Sequence, residues 1–481
     1  MAQFISLENN IKNLYKHNDI TKKLEYIDIY AKSKVGKVSP GAQVSVMKDG
    51  KNIFSKGYGF ANIDRKIPVD TSTSFNYGSI SKLFIWISAM QLKEQNKLDL
   101  NKDIREYLPE NYELHINSKE PVTFLNLMNH NAGFESYWKY HDGTGESCDF
   151  DSTGEAVKNC YSGIQCFDPG RFVGYSNYGA NLAAYIIENI TGVPFFEYVQ
   201  KNIFDKCDMK CCYPEQNPDE EVMSQKALGY TRSAFGDFTK TSCYSGDWLY
   251  ASGSVVGTTS DLMKFAQELM PSENQQSKLF ANNETLQELL DVSYSSTGEE
   301  LFSIHHGFWG TNGNYIGLGH TGLVDGMCSN FVIVPEENLA ISVLANAQNA
   351  YDLTYNIVNL ITGSNYNEIE DKSDFPDSEV LEGEYVCART QIANRKTPFD
   401  TYKINKIDKN KISITFNNYT QEYVQIRPYV YENITAKSGQ YYKQKIYFKV
   451  EKNDNIEQVT KGVFEKNDLI PLKTIVNESL S

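Results

Sequence analysis

Apolar residues early in the chain recur at helical spacing: Leu7, Ile11 and Leu14, then Leu24, Ile27 and Tyr30. This predicts helical structure over about residues 6 to 34. From Gly41 the period changes to two, and the runs 42–47 and 53–58 flank Asp49-Gly50, the pattern of a β-hairpin. The stretch Leu83-Phe84-Ile85-Trp86-Ile87-Ser88-Ala89-Met90 is too apolar for a surface and predicts a buried helix ending near Gln95 and Asn96. Thr123 is placed to cap a short helix over 124–129, and further helices are predicted over 180–190, 195–203, 261–270 (capped by Thr259 or Ser260) and 353–361. A tight turn is expected around 251–254, and a second hairpin where Pro335-Glu336-Glu337-Asn338 separates the apolar runs 331–334 and 339–344. Residues 134–170, rich in Gly, Asp, Tyr and Cys with little periodicity, read as a lid or cleft wall, with a turn at Asp168-Pro169-Gly170.

Beyond this point the texture changes. Residues 363–379 are polar and acidic and read as a linker. Short alternating segments follow at 402–407, 412–416, 423–430 and 445–450, which predict a small antiparallel β-barrel or sandwich. The expected division is 1–362, a linker at 363–380, and 381–481.

With 481 residues, 41% hydrophobic and 22% charged, the chain has the balance of a globular protein able to bury more than one core. The net charge of −15 argues against nucleic acid and anionic membrane surfaces as partners. No apolar stretch reaches membrane-spanning length, and the first residues lack an apolar signal core, so a cytoplasmic location is expected; a chain without its signal peptide would read the same. Of nine cysteines, seven fall between Cys148 and Cys243, yet Cys207 and Cys211 have no matching Cys/His pair, so no metal site is expected. Reduced, buried thiols are the preferred reading, and disulfides the alternative.

The candidate chemistry starts at Tyr77-Gly78-Ser79-Ile80-Ser81-Lys82. Three residues apart in a helix, Ser79 and Lys82 share a face, and a helix N-terminus suits an oxygen that must carry negative charge. A second Ser-x-x-Lys, at Ser45 and Lys48, lies in a strand-like run, where that spacing points the side chains to opposite faces. Ser79 and Lys82 could also be a cap serine and a solvated lysine. Acyl transfer needs a nucleophile, a base, an acid for the leaving group and two oxyanion donors. Tyr175 could share proton traffic with Lys82, and Asn177 could hold Lys82 and a substrate carbonyl. The strand-like His320-Thr321-Gly322-Leu323 could bind an extended acyl group, with Gly322 allowing close approach. Singly, each has a plainer reading: Tyr175 as packing, Asn177 as a helix cap, His320 as a structural histidine and Gly322 as a turn.

The order Ser-x-x-Lys, Tyr-x-Asn, His-x-Gly resembles the penicillin-recognising serine hydrolases, in the branch of class C β-lactamases, D-Ala-D-Ala carboxypeptidases, D-aminopeptidases and related esterases. Residues 77–82, 127–134, 169–177, 251–265 and 319–326 are similar to that family's motifs, and the resemblance covers roughly residues 35 to 362. It implies an α+β fold: an antiparallel sheet with helices on both faces and an inserted helical region, followed here by a lipocalin-like barrel. It further implies a cofactor-free hydrolase acylated at Ser79, with Lys82 and Tyr175 as the proton-transfer pair. Asn177, His320, Thr321 and Gly322 would be substrate-binding, and the backbone N–H groups of Ser79 and Leu323 would form the oxyanion hole. His320 stands where class C β-lactamases usually carry lysine, which favours a peptidase or esterase for small-molecule or peptide substrates, D-amino-acid peptides among them. The alternatives are a class C-like β-lactamase and a non-catalytic scaffold keeping the fold. An oligomer is compatible with either.

Overall fold

The computed structural model describes residues 19–135, 153–160, 163–241, 250–272, 275–295, 303–310, 317–348, 350–362, 374–387, 401–416, 418–435, 445–453, 456–463 and 467–471. The expected helical turns over 6–18, the lid segment 136–152 and linker residues 363–373 lie outside them.

The hairpin centred on Asp49-Gly50 forms, with both residues at positive φ (51° and 71°), the geometry that matches the twist of paired strands. Its strands, Gly41–Lys48 and Lys51–Asn62, enter a nine-stranded antiparallel sheet. Across the sheet the order is Ile67–Pro68, Lys51–Asn62, Gly41–Lys48, Leu339–Ala345, Met327–Val334, Leu318–Val324, Phe308–Trp309, Ser303–His305 and Tyr294–Ser295. The central strands are buried on both faces, which is why they read as nearly continuous apolar runs.

Strand alternation assigns each face its helices. Val44, Val332, Ile341 and Val343 pack with Ile27 and Ala31 of helix Ile20–Lys34 and with Leu353 and Ile357 of helix Tyr351–Thr362. Tyr30 ties these two helices together: its hydroxyl donates to Asp352 O (2.9 Å) and accepts from Asn356 Nδ2 (2.8 Å). On the other face, Phe331, Ile333 and Leu344 meet helices Lys82–Glu94 and Thr259–Leu269. Helix Lys82–Glu94 is the centre of this layer, with every residue from Lys82 to Leu92 buried. Each large apolar side chain it buries is worth about 1.5–3 kcal/mol relative to exposure.

Local details differ from the sequence expectation for physical reasons. The cap of helix Thr259–Leu269 is Thr258, extended at φ −108° and ψ 165°, in a reciprocal capping box with Asp261. Thr259 instead uses its hydroxyl on Gln43 Oε1 (2.8 Å) and Ser45 Oγ (2.7 Å). The expected turn near 251–254 is the end of a short helical turn, Tyr250–Gly253. The helix from Phe195 widens after Val199 into a π-turn, Gln200–Phe204. The expected single segment 423–430 is divided between strands Tyr419–Arg427 and Val430–Asn433, with Tyr429 at φ 58° in the turn.

The C-terminal alternation closes into an eight-stranded antiparallel barrel, its first and last strands, Gly383–Cys387 and Asn467–Pro471, pairing at Val386 and Ile470. Among the described residues, closure pairs the two outermost strands with each other, so neither is left as an edge. Tyr385, Ile404, Ile412, Tyr423, Tyr431, Ile446 and Phe448 form its apolar cluster together with Leu381. Leu381 belongs to a short turn, Ser378–Leu381, fastened to the barrel by Ser378 N–H to Lys409 O (2.9 Å). Among the described residues no helix is long and apolar enough to cross a membrane.

Candidate active site

The approach to Ser79 is fixed by backbone contacts. Strand Phe75–Asn76 pairs with Val256–Gly257, and Tyr77 N–H continues that pairing to Val255 O (2.8 Å). Asn76 Oδ1 then accepts from Gly78 N–H (2.7 Å), and Gly78 turns at φ 55°. A Cβ at Gly78 would sit 2.9 Å from Leu323 N, and one at Gly322 would sit 2.0 Å from Tyr77 O. Two glycines therefore let the Gly78–Ser81 turn lie backbone to backbone against strand Leu318–Val324. Ser329, on the neighbouring strand, locks the junction by donating its hydroxyl to Tyr77 O (2.7 Å).

Ser79 lies in this 3-10 turn, one step before the α-helix proper, and Lys82 is the first residue of helix Lys82–Glu94. The side chains meet as the spacing predicts: Lys82 Nζ lies 3.1 Å from Ser79 Oγ. Lys82 is fully buried and also donates to Ser252 O at 2.8 Å. Ser252 N–H is in turn held by Asn181 Oδ1 (3.1 Å).

Tyr175 arrives from the segment before helix Asn177–Thr191, and its hydroxyl donates to Ser79 Oγ at 2.8 Å. Its ring also lies under the lysine, 5.0 Å from Nζ to the ring centroid. An amine three residues away and a phenol 96 residues away in sequence thus converge on the serine oxygen. Ser176 caps the helix, its Oγ accepting from Gly179 N–H (3.0 Å), so Asn177 is not the cap but the first helical residue.

Trp309 of the neighbouring strand pairs with Gly319, and beyond that point strand Leu318–Val324 runs alongside the Ser79 turn. His320 is fully buried, its Nδ1 2.6 Å from Thr321 O and its ring 6.2 Å from that of Tyr175. A nitrogen facing a carbonyl must carry a proton, so Nδ1 is a donor here. Thr321 is half-buried, and Leu323, at 39%, is an exposed large apolar residue on the strand's rim. Tyr77, adjacent in sequence, is a different kind of phenol. Complete burial pushes its hydroxyl well above the usual tyrosine range, and that hydroxyl is spent on Thr258 O (2.7 Å).

Several neighbours carried no assignable signal in the sequence. Ser252 contributes a carbonyl oxygen, which any residue has. Asn181 is one polar residue in an apolar helix, and Trp309 belongs to a two-residue strand. His130 lies in a motif-bearing stretch, but only the fold brings its ring centroid within 4.4 Å of Tyr175's. Among the described residues no group of His, Cys, Asp and Glu could hold a metal ion. Cys207, Cys211, Cys212 and Cys328 are buried free thiols.

An antiparallel sheet between helical layers, with serine, lysine and tyrosine meeting beside its strand, defines a class, and comparison with known proteins agrees. The family described as Beta-lactamase matches residues 27–360, and the chain belongs to that family, a group of serine hydrolases. Protein flp of Staphylococcus aureus (strain MRSA252) is 24% identical over 317 residues, 65% of this chain and 60% of that protein. The chain thus spans about 60% of the length of that curated relative. Among solved structures, an octameric penicillin-binding protein homologue from Pyrococcus abyssi aligns with TM-score 0.60 and 22% identity, covering 94% of this chain and 100% of the other. A D-amino acid amidase from Ochrobactrum anthropi SV3, complexed with D-phenylalanine, aligns with TM-score 0.56 and 21% identity, over 72% of this chain and 97% of the other. At these identities the structural likenesses establish the fold.

Proposed function

We propose that this chain hydrolyses an amide or ester bond through an acyl-enzyme on Ser79, and that its substrates are D-amino-acid peptides or carboxylic esters. The observation that carries the reading is the double contact on Ser79 Oγ, from Lys82 Nζ at 3.1 Å and Tyr175 OH at 2.8 Å. In the proposed cycle Ser79 Oγ attacks the carbonyl carbon, and its proton passes to Lys82 in the amine form. The carbonyl oxygen becomes an oxyanion facing the N–H groups of Ser79 and Leu323. On collapse the amine or alcohol leaves with a proton delivered through Tyr175. Water, deprotonated by the same pair, then attacks the ester carbonyl and releases the acid and Ser79. Asn177 and Thr321 are assigned to orient the acyl group, and Gly322 to let it lie along the strand.

His320 supports peptidase or esterase action over a dedicated β-lactamase. An imidazole whose Nδ1 faces Thr321 O offers a substrate carboxylate less than an ammonium would. The likeness to a D-amino acid amidase supports including D-configured amides among the substrates.

The test is labelling with a fluorophosphonate or fluorescent penicillin. Wild type should label and Ser79→Ala should not; equal labelling of both proteins ends the proposal. A parallel panel of D- and L-amino-acid p-nitroanilides and p-nitrophenyl esters identifies the bond type. Nitrocefin should turn over slowly or not at all, and rapid turnover would return the reading to a β-lactamase.

A further inference from the structure

We propose that His130 is the positioning residue of the Tyr175 hydroxyl, holding the backbone on both sides of that tyrosine. This rests on the reading of Tyr175 as a proton carrier. His130 O accepts from Gly174 N–H (2.7 Å), and His130 Nδ1 accepts from Ser176 N–H (3.2 Å). One residue thus fixes the N–H groups of Gly174 and Ser176, the residues on either side of Tyr175. Its ring also lies against the phenol, centroids 4.4 Å apart at 38°. Trp309 (5.9 Å, 21°) and the edge-on Trp86 (6.1 Å, 85°) complete an aromatic cage around the imidazole.

The backbone of His130 is itself unusual. At φ 51° it occupies the left-handed region, which a residue with a side chain rarely enters, at a cost of about 1–2 kcal/mol. That conformation accompanies the presentation of both acceptors, carbonyl and Nδ1, to residues 174–176. A backbone N–H can only donate, so Nδ1 must be unprotonated and the neutral ring must carry its proton on Nε2. The bond is therefore specific to one tautomer.

Two substitutions separate the parts of this device. In His130→Asn the side-chain oxygen falls near the place of Nδ1, and asparagine tolerates the left-handed backbone, so the acceptor survives without the ring. In His130→Phe the ring survives without the acceptor. Asparagine should keep fluorophosphonate labelling of Ser79 within about threefold of wild type, whereas phenylalanine should slow it by about ten- to a hundredfold. For a p-nitrophenyl ester the phenylalanine loss should fall on kcat, with KM within about twofold. Thermal melting of each variant, run in parallel, reports folding.

The decisive comparison is made in the Tyr175→Phe background. If His130 acts through the phenol hydroxyl, His130→Phe should there cost less than about twofold. The same fold-loss in both backgrounds overturns the proposal, as does an asparagine variant as slow as the phenylalanine one. A second arm needs no activity. Nitrogen-15 NMR of the seven imidazole rings, with the His130 signals assigned by their loss in His130→Asn, should show the Nε2–H tautomer at neutral pH. An Nδ1–H tautomer or an imidazolium overturns the positioning role. Failure of wild type to label at Ser79, with the Nε2–H tautomer present, would remove the hydrolase reading and leave His130's hold on residues 174–176 standing.

Discussion

At the scale of single residues, the site depends on two positions where a side chain is forbidden. A methyl group at Gly322 would lie 2.0 Å from Tyr77 O, and that carbonyl cannot retreat because Ser329 Oγ grips it at 2.7 Å. The strand would have to move instead, taking Leu323 N–H with it. Gly322→Ala should therefore slow Ser79 labelling by about a hundredfold, the scale of one lost oxyanion donor. Gly78→Ala adds strain at φ 55° and presses on Leu323 N, so it should be impaired as well. Wild-type labelling of both variants would refute the proposed hole. Lys82 is a stricter case. Arginine keeps the charge but cannot give up its proton, so Lys82→Arg should lose about 10²-fold or more in kcat, as should Lys82→Ala. An arginine variant near wild type would exclude Lys82 as the base.

At the scale of elements, helix ends and turns set local stability. Thr258 closes the capping box of helix Thr259–Leu269, and Thr258→Ala should cost about 1 kcal/mol, while Ser260→Ala should stay within about 0.5 kcal/mol. Denaturant midpoints of the two variants check this. The turn between strands Ser303–His305 and Phe308–Trp309 carries His306 at φ 48°. Burial lowers its pKa below the usual 6.5, with Glu288, His305 and the Leu289 and Asp291 carbonyls as its charged and polar neighbours. The folded state thus keeps the ring neutral. Above pH 6.5 its stability contribution is complete, and it falls as the pH drops from 6.5 towards the folded value, because the unfolded chain binds the proton more readily. His306→Asn, which tolerates the left-handed turn, should show a smaller loss of denaturant midpoint between pH 7.5 and pH 5 than wild type. An equal loss would assign the acid sensitivity elsewhere.

At the scale of the whole molecule, the two faces of the sheet govern access. Burial pushes the thiols of Cys207 and Cys328 up to about 12 and raises those of Cys211 and Cys212. Native alkylation at pH 8, read by peptide mass spectrometry, should leave these four unmodified until the protein is denatured. Early modification of Cys207 or Cys328 would contradict the packing described for these faces.

Much of this was legible in the chain itself. The period-two runs around Asp49-Gly50 and the short apolar runs flanking residues 335–338 specify strands, because runs of that length bounded by turn residues suit strands packed into a core. The apolar run after Ser79 specifies a buried helix, and helical spacing suffices to bring Ser79 and Lys82 together. Other features depend on contacts between residues far apart in sequence. Local alternation is equally compatible with a sandwich, and the pairing of strand Gly383–Cys387 with strand Asn467–Pro471 makes the C-terminal sheet a barrel. The meeting of Tyr175 with Ser79, the use of Ser252's carbonyl and the embrace of Tyr175 by His130 were likewise decided by tertiary structure. The physical reason is range: a repeat or a cap acts across a few neighbouring residues, whereas a hydrogen bond to a backbone atom from elsewhere in the chain leaves no mark on residue type.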